Sequence, residues 1–140
     1  MRNFLLSVSC LLAACQVQAQ KKPLDHSVYD SWQSITSPQI SDRGNVLTYL
    51  ISPQQGDTTL VIRQNRNGRE IRIPRGCKAR ISADERFVIC TIKPLFSVIR
   101  QARIKKTKTE KMPKDSLAII NLTNGKIKKF RDIESFGFAK

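Results

Sequence analysis

Covalent chemistry in a chain of this composition would have to run through histidine, cysteine or serine. Here those residues are sparse or badly spaced for it. His26 is the only histidine among 140 residues. A serine or cysteine nucleophile needs a base within hydrogen-bond reach, so any such pair is built on His26 or does not exist. His26 stands near the start of an amphipathic stretch, where it reads as a solvent-facing residue beside a helix cap. The nucleophile elbow G-x-S-x-G, a strained turn that lifts a serine off a strand end, requires two glycines four apart. The glycines are Gly44, Gly56, Gly68, Gly76, Gly125 and Gly137, and no two have that spacing. No catalytic residue is assigned. One histidine and scattered cysteines give no metal-ligand spacing either, so neither a metal nor a cofactor is expected.

The four cysteines divide by position. Cys10 and Cys15 lie in or beside an apolar N-terminal stretch, whereas Cys77 and Cys90 flank the turn-forming run Ala83–Glu85. If that turn pairs the strands on either side, Cys77 and Cys90 come close to opposite one another, within range of a disulfide. A one-residue slip would put them on opposite faces. Two separate buried thiols are the favoured reading, with the disulfide as the alternative.

Met1-Arg2-Asn3 followed by the apolar Phe4–Ala14 fits a secretory signal, too short to span a bilayer as a stable helix. Two cleavage sites compete. Leu12-Ala13-Ala14-Cys15 matches a lipobox, which would lipidate Cys15 and anchor the chain to a membrane. Val17-Gln18-Ala19 fits ordinary cleavage, with residues 1–19 as the signal. Either way the chain is expected to be exported, as a periplasmic protein or a membrane-anchored lipoprotein.

The chain carries 25 Lys+Arg against 11 Asp+Glu, a net charge of +14. Charge of this size attracts nucleic acid, anionic membrane or acidic polymer. Its distribution is uneven. Arg100, Arg103, Lys105, Lys106, Lys108, Lys111 and Lys114 fall close together, opposed only by Glu110. This basic stretch has no aromatic residue on which bases could stack, which argues against nucleic acid. The favoured reading is a solvated excursion, 95–114, between two strands.

The elements that would position these groups read as follows. Residues 20–38 form a polar lead-in with a short amphipathic helix over Leu24–Ile35, with Tyr29 and Trp32 anchoring it. From Gln39 onward the pattern is that of strands. "ISDRGNVLTY" at Ile40–Tyr49 and "ISADERFVIC" at Ile81–Cys90 begin 41 residues apart, and Asn67-Gly68 recurs as Asn124-Gly125. Each Asn-Gly pair predicts a tight hairpin turn, both positions tolerating positive φ. A four-stranded meander used twice at this period is the mark of β-propeller blades. The expected fold is all-β: blade one over 39–76, blade two over 77–131 with its insertion, and the start of a third over 132–140. Two blades leave apolar faces uncovered, so the sequence reads as the front of a larger, incomplete propeller.

"KKPLDHSVYDSW", "ISDRGNVLTYLISPQQGD" and "MPKDSLAIINLTNGKIKKF" occur here in that order. Together they resemble the N-terminal end of exported serine peptidases of the prolyl oligopeptidase family, as found in Bacteroides-like bacteria. The resemblance implies a propeller that gates a C-terminal α/β-hydrolase domain carrying a Ser-Asp-His triad and cleaving short peptides. That domain has no counterpart in this sequence, and no triad position carries over. The function expected is therefore that of a propeller region, inactive alone, whose partner is the absent hydrolase domain and which meets peptides only through it. The alternative is a small basic exported module that binds anionic polymer or a membrane surface.

Overall fold

Alternating β-branched and polar residues dominate the chain from residue 33, and the backbone responds with eight strands. The computed structural model describes Tyr29 and residues 32–133. Strands β1 (Gln33–Ile40), β2 (Val46–Pro53), β3 (Thr59–Gln64) and β4 (Glu70–Pro74) form one antiparallel sheet in sequence order. Strands β5 (Gly76–Ile81), β6 (Phe87–Ile92), β7 (Ser116–Asn121) and β8 (Ile127–Phe130) form a second with the same order. Two consecutive four-stranded meanders are two blades of a partial β-propeller.

Pairing repeats residue by residue. Ile35 opposes Ile51 as Gly76 opposes Ile92, and Leu60 opposes Ile73 as Leu117 opposes Phe130. The irregularities repeat too. The β1–β2 register shifts between Thr36 and Gln39, and the β5–β6 register shifts between Cys77 and Arg80. At these bulges Ser37 and Lys78 each adopt φ 49°. Pro38 sits in the first bulge, where a missing N–H leaves no ladder bond broken.

Strand alternation sends one face of each blade into a shared core. Val46, Leu60, Ile62 and Ile73 of blade one meet Val88, Cys90, Ala118 and Ile120 of blade two. Leu60, Ile62, Val88 and Ile120 are almost completely buried. Each contributes about 1.5–3 kcal/mol through burial. Gly76 opens the second blade because a Cβ there would lie 2.7 Å from Leu60 Cβ.

Three expectations change. The helix over Leu24–Ile35 does not reach its end, since Gln33–Ile35 already belong to β1, which pairs along β2 and so begins six residues before residue 39. Pairing with β2 satisfies the backbone groups of these residues, which outweighs the weak helical spacing. Tyr29 lies in a single 3₁₀ turn, its carbonyl accepting from Trp32 N–H at 3.1 Å, with the two rings edge to face. The other residues of that stretch lie outside the described residues.

The insertion is not a plain loop. It holds helix α1 (Phe96–Ile104) and a 3₁₀ turn (Thr109–Lys111). The Asn-Gly turns are five-residue loops in which only the glycines, Gly68 and Gly125, take positive φ. Asn67 and Asn124 instead use their side-chain oxygens to accept from Arg69 and Lys126 N–H at 3.0 and 2.9 Å. Of the expected third-blade start, residues 134–140 lie outside the described residues.

Candidate functional site at the blade boundary

The turn after each first strand is built on a serine. Ser41 Oγ accepts from Val46 N–H at 3.0 Å, and Ser82 Oγ accepts from Phe87 N–H at 3.0 Å. The two turns lie beside each other and form the rim of the blade boundary. Blade one has Gly44 in the left-handed conformation, φ 74°. Blade two has Glu85 there, φ 57°, a conformation that a non-glycine residue rarely adopts.

Glu85 is held by blade one. Asn45 Nδ2 donates to Glu85 Oε2 at 2.6 Å. The other oxygen, Oε1, is shielded from solvent and completes no hydrogen bond of good geometry. The nearby Ser41 hydroxyl, then the Asn45 amide, hold this carboxyl below the usual carboxylate range. Next to it, Asp84 is drawn well below that range by Ser82 Oγ, donating at 2.6 Å, and by Arg86 Nε at 2.7 Å. A second strut crosses between blades, where Gln64 Nε2 donates to Leu122 O at 2.6 Å.

Arg43, Asn45, Gln64, Arg66 and Glu85 line a cleft of about 320 Å³ on one side of this contact. Gln39, Ser41, Arg80, Ser82 and again Glu85 line one of about 410 Å³ on the other. The two clefts meet at Glu85. A carboxylate held ionised accepts hydrogen bonds or balances a cation, and it is a poor proton acceptor for catalysis. No nucleophile–base pair lies in either lining. Among the described residues, no three His, Cys, Asp or Glu side chains converge as a metal site would need.

Cys15 and His26 lie outside the described residues. Cys77 and Cys90 are buried free thiols. Cys77 stands opposite Thr91, one position out of register with Cys90, so the two thiols are not directly opposed as a disulfide across this strand pair needs. Burial pushes the Cys90 thiol up to about 12, with Cys77 nearby adding to it, and burial likewise raises Cys77. The residues that hold the boundary together, Asn45, Gln64 and Glu85, were missed by the reading of chemical motifs. The repeat alone marks Glu85, because it aligns a charged residue with Gly44.

The insertion is tied to blade one. Asp57, in the β2–β3 loop, accepts from Phe96 N–H through Oδ1 at 2.8 Å and so caps the first turn of α1. Asp57 lies 39 residues before Phe96, and its use by the insertion was not legible in the sequence.

Fold and boundary together define a two-blade β-propeller segment with a polar seam. No family model matches the chain, and no curated protein matches it. Solved structures do. The acylaminoacyl peptidase of Pyrococcus horikoshii superposes with a TM-score of 0.55 at 16% identity, over 77% of this chain and 16% of that one. An acylaminoacyl peptidase in complex with Z-Gly-Gly-Phe-chloromethyl ketone gives 0.54 at 16% identity, over 79% of this chain and 16% of its own. The β-propeller domain of the Trilobed protease from Pyrococcus furiosus gives 0.49 at 16% identity, covering 70% of this chain and 27% of that one. The chain thus spans about a sixth of the length of the acylaminoacyl peptidases it is similar to. At this identity the likeness is one of fold.

Proposed function

We propose that this chain is the N-terminal propeller region of an exported serine peptidase of the prolyl oligopeptidase family, and that it hydrolyses nothing by itself. The observation that carries the reading is the pair of register-matched blades, a fold similar to that of acylaminoacyl peptidases over most of the chain. The three sequence segments that resemble the family add to it. Its partner is a C-terminal hydrolase domain, and peptides meet the propeller only in that company. Export follows from the apolar N-terminal stretch, with retention on a membrane if Cys15 is lipidated.

The test has two parts. The purified chain should turn over neither peptide nor ester substrates. A hydrolase domain encoded downstream, with its own G-x-S-x-G, should co-purify with a tagged copy of this chain and supply the activity. Turnover by the chain alone that disappears on His26→Ala would defeat the reading, as would a downstream frame with no hydrolase.

A further inference from the structure

We propose that the basic insertion is a docking surface for an anionic lipid bilayer, a role independent of the peptidase reading. Phe96, Ile99 and Ala102 share one side of helix α1 and are partly buried, and Asp57 pins its first turn. The opposite side therefore faces outward. Ile104 lies on it, and Arg100, one turn back, borders it. Ile104 is 71% exposed and sits in sequence between Arg103 and Lys105.

Beyond it Lys105, Lys106, Lys108 and Lys111 are all exposed. Among the described residues, none of these four lysines, nor Arg100 or Arg103, forms an ion pair within the chain. Unpaired cations clustered on a pinned element hold a local positive potential that folding has not neutralised. What distinguishes a bilayer from other polyanions is the isoleucine. An exposed aliphatic side chain among cations suits an interface where acyl chains lie just below charged headgroups. Nucleic acid would reward an aromatic side chain, and the stretch has none. An acidic polymer in water gives an exposed isoleucine nothing.

The full chain should sediment with phosphatidylcholine vesicles containing phosphatidylglycerol far more than with phosphatidylcholine alone, and added salt should weaken this. The difference between the two vesicle types reads the cationic contribution whether or not Cys15 carries lipid. Each basic residue near such a surface is worth about fivefold in partitioning, so Lys105→Gln, Lys106→Gln and Lys108→Gln combined should cost roughly 100-fold. Arg66→Gln, Arg69→Gln and Lys126→Gln combined remove the same charge from the β3–β4 and β7–β8 loops, at the other end of the blades, and should cost at most a few-fold. Ile104→Ser, at a site too exposed to affect folding, should weaken vesicle binding several-fold. Equal losses from the two triple variants would overturn the proposal, because net charge alone would then explain binding. So would indifference to phosphatidylglycerol, or a single-stranded oligonucleotide that displaces the chain from vesicles and binds Ile104→Ser as tightly as the parent.

Discussion

Gly44 and Glu85 occupy the same place in the two blades. The N–H of each donates to the carbonyl of a serine three residues back, Gly44 to Ser41 at 2.8 Å and Glu85 to Ser82 at 2.9 Å, and both residues are left-handed. Blade one meets this backbone demand with a glycine. Blade two meets it with a side chain that reaches Asn45 across the boundary, so local strain is exchanged for an inter-blade contact.

Two glycine substitutions separate backbone strain from packing. At Gly44 a Cβ would touch nothing within 4 Å, so Gly44→Ala isolates the left-handed penalty, about 1–2 kcal/mol. Gly76 has no positive φ, but its Cβ would press on Leu60, so Gly76→Ala should cost about 1–3 kcal/mol through overpacking. Urea unfolding of the two variants measures both.

Acid should loosen the blade boundary. Asp84 and Glu85 both titrate lower in the folded chain than in the unfolded one, Asp84 through hydrogen bonds from Ser82 and Arg86, Glu85 through the nearby Ser41 hydroxyl and the Asn45 amide. Their contribution is therefore complete above the ordinary carboxylate range, at about pH 4, and is lost as pH falls through their lower folded values. The melting temperature should drop across that acid range. Asp84→Asn with Glu85→Gln should make the drop shallower, and an unchanged slope would remove these carboxylates from the account.

Asp57 is predicted to matter to the insertion more than to the blades. Losing the side-chain acceptor of a first-turn N–H costs about 1 kcal/mol, and here that loss falls on α1. Trypsin should then cleave Asp57→Ala faster after Arg100 and Arg103, while the main unfolding transition moves little. A large shift in that transition would mean that α1 is coupled to the core.

Cys77 and Cys90 should resist a thiol-alkylating reagent at neutral pH in the native chain and react once urea exposes them. Both thiols are buried and held protonated, Cys90 up to about 12, so little of the reactive thiolate exists. Peptide mass mapping before and after unfolding checks this. Recovery of a Cys77–Cys90 disulfide from native protein would contradict the register at Thr91.

The sequence by itself determined the repeat. Alternation in Val46–Ile51 and Phe87–Ile92, the two Ile-Ser turns and the two Asn-Gly loops are local signals, and local backbone preference is enough to express them. The even register of β3 with β4 and of β7 with β8 followed from the Asn-Gly loops. The lack of a nucleophile elbow was legible in the same way, from glycine spacing alone.

Tertiary structure decided whatever depended on a partner distant in the chain. Gln33–Ile35 became strand because β2 offered an edge to pair with. Phe96–Ile104 became helix with Asp57, 39 residues earlier, to accept the N–H of its first residue. The register that sets Cys77 opposite Thr91 rests on a bulge at Lys78, whose φ of 49° matches that of Ser37 although the two residues share no chemistry. A bulge is set by the twist and pairing of two strands, not by the residue that occupies it, so it leaves no local trace. Glu85 is the same case at the seam. Its sequence neighbours mark a turn, and only the adjacent blade turns that carboxylate into a strut.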